Sequence, residues 1–451
     1  MTAEDLTFIH ISDIHFSKRS GDKVDLDSDL RSELENDVRR MKEDLERVNG
    51  ILVTGDIGYS GQTQEYDNGR KWLTRLCSVA GCEMQEVWVV PGNHDVDRTT
   101  VDKSALLSQS HKSLRMTPKH DISTEMESVF RDGQFSQLLL KPVENYNHFS
   151  SRFECQISPD KLVWESDRLL NDGSTLRLIG LNSTLLSDRH DDDGVNRLIV
   201  GLSQTLLPNI PGVCYLTLCH HPPQWLLDGD EIDQTLSVRA NVQLFGHKHM
   251  QHVEKKTVEK FDSVRMVAGA VHPERSGQQW IPRYNYVSLA VKRRGGRRSL
   301  MVTIYPRLWN SDSKRFDSSL GDEAAVEYEL ALPGWEPPIE ARTEIVISVD
   351  DEVSCGSVTA TQPPVRVISH GGNGMYSAKR LAYRFLTLPY SEILALVRDL
   401  YLLEDEDEGL RDFELFQRVF QRAKERQLCN RLFEEVEHRH TAYGEETLKN
   451  V

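Results

Sequence analysis

Short apolar runs recur along the first half of the chain, separated by longer polar stretches. Six of them lie at residues 6–12, 50–56, 87–93, 176–183, 214–221 and 242–249. Apolar runs of this length, without strict alternation, are typical of strands that are buried on both faces of a sheet. Between the first two runs, apolar residues recur instead at steps of three and four.

The residues with this helical period are Leu30, Leu34, Val38, Met41, Leu45 and Val48. Their spacing predicts an amphipathic helix, and Gly50 is its predicted C-cap. A strand, a helix and a second strand in succession favour an α/β fold with crossover helices.

Residues 96–170 interrupt this rhythm with a polar segment of mixed helical and loop character. We interpret the segment as an insertion between core strands that acts as a lid or shapes access for substrate. Further apolar runs follow the sixth, and they predict antiparallel strands that complete the sheets: 263–271, 284–291, 298–306 and 324–332. Residues 1–332 are therefore predicted to form one domain.

The chain changes character after residue 332. Residues 333–374 contain a proline-rich break and the sequence HGGNG, which predict a linker. Residues 375–451 have three apolar stripes at helical spacing, which predict a small helical bundle without catalytic residues. The stripes consist of Ile393, Leu396, Val397, Leu400 and Tyr401; of Phe413, Phe416, Val419 and Phe420; and of Leu428, Leu432 and Val436.

Composition and charge restrict the class of protein. A net charge of −16 argues against non-specific coating of nucleic acid and against adhesion to an anionic membrane. The sequence contains no run of about 18 apolar residues, and its acidic N-terminus does not resemble a signal peptide. The seven cysteines are scattered and form no CxxC pair, which predicts reduced thiols in a cytoplasmic protein.

Side chains that can bind metal ions lie at or just beyond the end of every one of the six apolar runs except 176–183. These residues are Asp13 and His15; Asp56; Asn93, His94 and Asp95; His220 and His221; and His247 and His249. Carboxylate, imidazole and amide ligands suit manganese, iron, zinc and similar divalent ions. Ligands at the carboxyl ends of strands meet at one edge of an open α/β sheet. They are numerous enough for two ions about 4 Å apart that share one carboxylate.

Each of these short motifs also fits a structural role, since DIH and GNHD occur in turns and GHKH occurs in surface loops. Their occurrence in order, each after an apolar run, favours a metal site over coincidence. Glycine precedes Asp56, Asn93 and His247, where it would let the backbone turn sharply and bring the side chains together. His10 and His252 lie off the pattern, and we predict no metal-binding role for them.

The series DIH, GDI, GNHD, HHPP and GHKH resembles the calcineurin-like metallophosphoesterase superfamily over roughly residues 6–332. The resemblance implies a four-layer α/β/β/α sandwich with a dinuclear metal centre. It implies one ion held by Asp13, His15, Asp56 and His249, and a second held by Asp56, Asn93, His220 and His247. His220 is preferred to His221 because the family histidine stands two residues before a proline.

The resemblance also implies roles for the GNHD segment and for the metals. His94 would contact the substrate phosphate and protonate the leaving oxygen, and Asp95 would orient the ring of His94. Water activated by the two ions would attack phosphorus. Manganese is the expected metal, and iron, zinc and nickel are alternatives that the same ligands accept.

These features predict a metal-dependent phosphohydrolase, foremost a phosphodiesterase or nuclease that acts on nucleic acid or nucleotides. One alternative is a cyclic-nucleotide phosphodiesterase, and another is a phosphomonoesterase such as a protein phosphatase. A non-enzymatic alternative is a scaffold that assembles through the helical tail. Intact ligands at every motif argue against the scaffold.

The helical tail resembles the effector-associated and death-like adaptor domains of bacterial conflict proteins, in its helix lengths and in the layout LYLLEDEDEGLRD. This resemblance implies a protein partner for residues 375–451 and a role in antiviral defence. The alternative is a bundle that packs on the catalytic domain or mediates dimerisation. The acidic run EDEDE would either pair with a basic partner surface or form a solvated loop.

Overall fold

The structure of the protein is a computed structural model. It describes residues 5–17, 27–45, 47–191, 197–272, 280–321, 323–337, 381, 384–386, 388, 390–404, 407, 412–426 and 428–449. The chain divides into two compact units, Met1–Trp335 and Glu336–Val451. None of the helices in the described ranges combines the length and the apolar character that a membrane span requires.

The strands of the described residues all lie in the first unit. In chain order they are β1 (Leu6–Ile11), β2 (Gly50–Val53), β3 (Val87–Val89), β4 (Trp164–Leu169), β5 (Thr175–Gly180), β6 (Val213–Cys219), β7 (Val242–Phe245), β8 (His252–Val258), β9 (Phe261–Val267), β10 (Arg283–Arg294), β11 (Arg297–Asn310), β12 (Arg315–Ser318) and β13 (Val326–Leu332).

The helices occur in both units. In chain order they are α1 (Ser28–Asp44), α2 (Thr63–Ala80), α3 (Arg98–Lys103), α4 (Ala105–Met116), α5 (Ile122–Arg131), α6 (Gly133–Leu140), α7 (Glu144–Ser150), α8 (Gly229–Arg239), α9 (Tyr390–Asp399), α10 (Asp412–Glu425) and α11 (Cys429–Lys449). Helices α9 to α11 belong to the C-terminal unit.

The first sheet has the strand order β12–β11–β10–β1–β2–β3, and β13 also pairs with β11. Strand β1 runs parallel to β2 and antiparallel to β10, and β2 runs parallel to β3. Every residue of β1, β2 and β3 is buried, as expected for strands that are covered on both faces. Because these three strands are parallel, the loops that follow them lie along one edge of the sheet.

The second sheet has the order β4–β5–β6–β7–β9–β8. Strands β5, β6, β7 and β9 are mutually parallel, and β4 and β8 are antiparallel edge strands. The loops after β6, β7 and β9 therefore lie at one edge as well.

The two sheets meet at these carboxyl edges. Ser12, directly after β1, forms an isolated parallel bridge with Ala270, which follows β9. The Val271 N–H donates to the carbonyl oxygen of Ser12 at 3.2 Å. Deeper in the same region, His10 is fully buried, with Nε2 3.0 Å from Thr54 Oγ1 and Nδ1 3.3 Å from the sulfur of Met266. These contacts bring together the loops that carry the predicted ligands from both sheets, and they give His10 a structural role.

The predicted α/β architecture, with two sheets, flanking helices and a helical C-terminal region, is confirmed. One local prediction is wrong, and another holds only in part. Helix α1 ends at Asp44, and Gly50 begins β2, where a Cβ would lie 2.3 Å from the carbonyl oxygen of Glu86. Gly50 is thus required by the close approach of β3 and not by a helix end. The run of β9 was expected to be antiparallel; β9 pairs antiparallel with β8 but parallel with β7.

The polar segment 96–170 folds as the five helices α3 to α7, followed by β4. Buried side chains such as Leu107, Met126 and Phe149 give these helices an apolar core. The Tyr146 hydroxyl donates to the Val89 carbonyl at 3.0 Å and ties α7 to β3. The end of the predicted insertion, as β4, is therefore part of the second sheet.

The described residues of the C-terminal unit surround a core of their own. Its buried members are Leu381, Phe385, Leu386, Leu388, Ile393, Leu396, Val397, Leu400, Leu402, Leu415, Phe416, Val419, Ala423, Leu432 and Val436. Tyr401 does not belong to it, because the helix has ended and the backbone there turns with φ 55°, leaving the side chain 82% exposed. Most of the predicted linker, residues 338–374, lies outside the described residues, as does the side chain of Phe413.

Part of the acidic run EDEDE forms hydrogen bonds and ion pairs within the C-terminal unit. Asp407 is buried, and its Oδ1 accepts a hydrogen bond from Arg422 Nη2 at 3.1 Å. Its Oδ2 accepts from the Glu404 N–H at 2.9 Å. Glu404 also pairs with Arg422 and Arg426. The expectation of a solvated loop is therefore wrong for Asp407, whereas Glu404 is exposed although it pairs with arginines. Residues 405, 406 and 408 lie outside the described residues.

Candidate metal centre

The predicted metal ligands lie in the loops at the joined carboxyl edges of the two sheets. Asp13 and His15 follow β1, Asp56 follows β2, and Asn93 follows β3. From the second sheet, His220 follows β6, and both His247 and His249 follow β7. The structure brings all seven of these side chains into one cluster, together with His94.

The backbone of this cluster is unusual. Five of the predicted ligands have positive φ angles: Asp13 (52°), His15 (54°), Asp56 (53°), His247 (69°) and His249 (55°). For residues other than glycine, the left-handed region costs about 1 kcal/mol or more each. Such strain persists only where the surrounding fold imposes it, and it concentrates at functional sites.

Two glycines permit the close approach of the ligand loops, as the sequence predicted. A Cβ on Gly92 would lie 2.1 Å from Asp56 Oδ1, and one on Gly246 would lie 2.1 Å from Ser12 Oγ. Side chains at these positions would push apart the loops that carry Asp56, Asn93 and His247.

One half of the cluster contains Asp13, His15 and His249. His249 Nε2 lies 3.2 Å from Asp13 Oδ1, and His15 Nε2 lies 3.6 Å from Asp56 Oδ2. Asp13 Oδ1 and both ring nitrogens of His15 are buried, and among the described residues none of them makes a hydrogen bond of good geometry. Buried polar atoms without such partners are costly, and a divalent cation would satisfy them.

The other half contains Asn93, His220, His221 and His247. His220 Nε2 lies 3.3 Å from Asp56 Oδ2 and 3.1 Å from Asn93 Oδ1. His220 Nδ1 donates to the Thr54 carbonyl at 2.7 Å, which leaves Nε2 as the nitrogen that could bind a cation. His221 Nε2 also lies 3.2 Å from Asn93 Oδ1, and its ring lies 4.5 Å from that of His247. Both histidines of HHPP therefore reach this pocket, although the sequence favoured His220 alone.

The electrostatics of the cluster favour ionised carboxylates. Burial alone would raise the pKa of Asp56, but the imidazoles of His220 and His94 outweigh it and hold the pKa well below its usual value. Burial lowers the pKa of His15 to about 4 and that of His247 to about 3. Burial would also lower the pKa of His220, but the Asp56 carboxylate raises it to about 9. Ionised carboxylates and neutral imidazoles are the forms that bind cations, so a metal ion that binds His220 would displace the proton that Asp56 holds there.

His94 is held differently from the prediction. Its Nδ1 donates to the carbonyl oxygen of Tyr59 at 2.8 Å, and its backbone N–H donates to Asp56 Oδ1 at 2.8 Å. The Asp95 carboxylate, which was expected to orient the His94 ring, is buried and accepts from the N–H groups of Gly58 (2.8 Å) and Gly92 (2.9 Å). Asp95 therefore braces the two ligand loops, and the backbone of Tyr59 orients the ring.

Burial raises the pKa of Asp95 to about 7, and the nearby charge of Asp56 adds to this effect. The Tyr66 hydroxyl donates to Asp95 Oδ1 at 3.1 Å and joins the same network.

Several residues at the cluster were not predicted as part of it. His272, after β9, has its ring 4.5 Å from that of His15. Three aromatic side chains border the cluster: Trp225 lies 4.2 Å from the His247 ring, Trp280 lies 4.4 Å from the His249 ring, and Tyr59 lies 5.3 Å from the His94 ring. A sequence signal existed for His272, which directly follows an apolar run.

Comparison with protein families gives two matches. A family model described as calcineurin-like phosphoesterase matches residues 6–251, more than half of the chain. A second model, described as GTPase-associated adaptor domain, matches residues 377–438. The two matches agree with the resemblances of the ligand motifs and of the helical tail.

Individual proteins are similar at greater distance. The uncharacterized metallophosphoesterase-like protein YydB of Bacillus subtilis (strain 168) is 25% identical over 182 residues, which cover 40% of this chain and only 34% of that protein. The purple acid phosphatase PPD1 of yellow lupin is 10% identical, with a TM-score of 0.39 over 80% of this chain and 58% of that one. Vps29 of Chaetomium thermophilum is 9% identical, with a TM-score of 0.28 over 73% of this chain and 100% of that one. Neither structural likeness bears on reaction or substrate.

Proposed function

The chain belongs to the calcineurin-like phosphoesterase family, and from this premise we propose that it hydrolyses phosphate esters at a dinuclear metal centre built around Asp56. The observation that carries the proposal is the position of one carboxylate oxygen. Asp56 Oδ2 lies 3.6 Å from His15 Nε2 on one side and 3.3 Å from His220 Nε2 on the other. A carboxylate between two sets of ligands is what two cations that share a ligand require.

We assign Asp13, His15, Asp56 and His249 to one ion, and Asp56, Asn93, His220 and His247 to the other. When bound, two divalent cations would supply Lewis acidity toward the phosphoryl oxygens and lower the pKa of water toward neutrality. The carboxylate and amide oxygens of this set accept manganese, and its imidazoles suit iron, zinc or nickel rather than magnesium or calcium.

His94 is the proposed proton donor. The side chain is partly exposed, so a substrate can reach it, and its ring lies 4.5 Å from that of His15. Because Nδ1 donates to the Tyr59 carbonyl, Nε2 is the nitrogen that can exchange a proton. His94 would contact a phosphoryl oxygen and protonate the leaving ester oxygen.

The proposed substrates are nucleotides or single-stranded nucleic acid, cleaved as phosphodiesters. Tyr59, Trp225 and Trp280 support this choice, because aromatic side chains beside a phosphate site provide surfaces on which bases stack. The net charge of −16 disfavours long duplexes, which bind through many phosphate contacts.

The C-terminal unit is the proposed site of a protein partner, and we propose that the enzyme acts as an effector in bacterial defence. The match to a GTPase-associated adaptor domain supports an adaptor role for residues 377–438. Cys214 and Cys219 are buried thiols outside any disulfide, and they support a reducing compartment such as the cytoplasm.

A substrate panel tests the proposed activity. The full chain, supplied with Mn²⁺, would be assayed on single- and double-stranded DNA and RNA, cyclic nucleotides, bis-p-nitrophenyl phosphate and p-nitrophenyl phosphate. We expect hydrolysis of the diesters, and Asp56→Ala should abolish it and release both metal equivalents, since one carboxylate serves both ions. Metal content would be measured by atomic emission.

Asp312→Ala, an exposed aspartate in the turn between β11 and β12, is the matched control and should retain full activity. Activity confined to the monoester would replace the phosphodiesterase proposal with a phosphomonoesterase. Two metal equivalents retained by Asp56→Ala would rule out the shared carboxylate.

A further inference from the structure

His272 lies outside the ligand set of the proposed function, at the carboxyl end of another strand. It follows β9, which runs parallel to the ligand-bearing strand β7. Because parallel neighbours end at the same edge, the segment after β9 reaches the cluster just as the segment after β7 does.

The backbone on either side fixes the position of His272. Val271 N–H donates to the carbonyl oxygens of Ser12 and Asp13, each at 3.2 Å, and Ala270 N–H donates to the His249 carbonyl at 3.4 Å. On the other side, the Trp280 indole N–H donates to the His272 carbonyl at 3.1 Å. The segment before His272 is thus hydrogen-bonded to two of the three loops that carry proposed ligands of the first ion, those of Asp13 and His249.

The His272 side chain converges with two of those ligands. Its ring lies 4.5 Å from the His15 ring and 5.4 Å from the His249 ring. One nitrogen from each of His15, His249 and His272 can be chosen so that all three lie within 4.8 Å of one another. His272 Nε2 is shielded from solvent. Three imidazole nitrogens at such spacing can face a single cation.

We propose that His272 is an additional ligand of the first metal ion, beside Asp13, His15, Asp56 and His249. The inference rests on the proposed dinuclear function and specifies one of its sites. A third imidazole makes this site richer in nitrogen, and imidazole suits zinc, iron and nickel, whereas oxygen ligands suit manganese and magnesium. The first site would therefore prefer one of those borderline ions to manganese.

Cobalt provides a direct probe of this site in the full-length protein. Co²⁺ takes the place of zinc, and thiolate ligation to it produces a charge-transfer absorption in the near ultraviolet. His272→Cys loaded with Co²⁺ should show a new thiolate band over the wild-type spectrum, because the introduced sulfur would lie in the coordination sphere. The matched control is His252→Cys, an exposed position on β8 that should add no band.

A second variant measures affinity without adding a ligand. His272→Ala should weaken one of the two Co²⁺ equivalents by at least about tenfold in a calorimetric titration, since even residues that only support a metal ligand contribute 10–100-fold. Binding of the other equivalent should stay unchanged, and Mn²⁺ affinity should fall less than Co²⁺ affinity. His252→Ala should bind both equivalents as the wild type does.

An unchanged Co²⁺ affinity of His272→Ala, with no new band in His272→Cys, would overturn the inference and leave the proposed hydrolysis intact. Conversely, wild-type protein that binds two Co²⁺ ions through His272 but cleaves no ester in the substrate panel would refute the proposed function alone.

Discussion

At the scale of single residues, the cluster combines strained backbone with buried charge. Asp13, His15, Asp56, His247 and His249 each adopt a positive φ that costs about 1 kcal/mol or more. Asp13 and Asp56 are also buried as carboxylates that neighbouring histidines keep ionised. A core selected for stability alone would contain neither feature, so the arrangement favours a ligand that repays both costs.

The role of His94 can be tested separately from metal binding. We expect His94→Ala to keep two metal equivalents and to lower kcat by on the order of 10²–10⁴-fold, the usual contribution of a general acid. The loss should be greatest for esters with poor leaving groups, because these depend most on protonation. Steady-state kinetics on diesters with leaving groups of graded pKa would measure it.

His120→Ala is the matched control, since His120 is exposed in the helical segment 96–170 and lies outside the cluster. Its kinetics should equal those of the wild type. A rate for His94→Ala that falls equally for good and poor leaving groups would remove the proton-donor role and leave only phosphate binding.

The sequence predicts which side chains meet in the cluster, because each lies at a recognisable strand end, and their roles as metal ligands stay a prediction. It could not identify Tyr59 as the group that orients His94, since the contact is made by a backbone carbonyl whose position no side chain specifies. His272 escaped prediction for a different reason. Its apolar run was taken as antiparallel, which would have placed His272 at the opposite edge of the sheet.

At the scale of elements, the strands that can be predicted from the sequence are those that are buried on both faces of a sheet. The continuous apolar runs of β1, β2, β6 and β7 were all predicted. The strands β4, β8 and β12 were missed because they are polar. For example, β8 reads HVEKKTV and is an edge strand with little burial. Such strands are specified by pairing with a neighbour and not by their own composition.

From the ion pair between Asp407 and Arg422, we predict that Asp407, a member of the acidic run EDEDE, stabilises the C-terminal unit. Asp407→Ala would leave the largely buried Arg422 without its main partner. Removing one member of such a pair costs about 3 kcal/mol. We expect urea unfolding of the full chain, followed by circular dichroism at the helical wavelength, to show an earlier transition for the C-terminal helices.

The control is Glu434→Ala, an exposed acid on α11 that removes the same charge. It should leave the transition where it is in the wild type. Equal midpoints for Asp407→Ala and wild type would mean that the pair contributes nothing to stability and that Asp407 is available to a partner.

At the scale of the whole molecule, the break in composition near residue 333 predicted two regions, and the structure has one compact unit on each side of Trp335. The exact residue at which the first unit ends could not be predicted from the sequence. Proline and glycine mark a break, but they do not show which residues before it pack against the first unit. Trp335 belongs to the first unit by its contacts. A Cβ on Gly212 would meet its indole at 2.2 Å, and the Arg298 guanidinium lies 5.5 Å from its ring.

These contacts predict different outcomes for two truncations of the chain. A chain that ends at residue 337 should fold, bind two metal ions and hydrolyse a small diester at the full-length rate, because every proposed ligand and the Trp335 contacts remain. A chain that ends at residue 332 loses the indole that covers Gly212 and Arg298, together with the hydrogen bond from Arg293 to the Trp335 carbonyl (2.7 Å). It should melt several degrees lower in differential scanning calorimetry while retaining its metal ions. If the longer fragment is insoluble or inactive, the C-terminal unit contributes to the catalytic fold, and an adaptor role separable from catalysis is excluded.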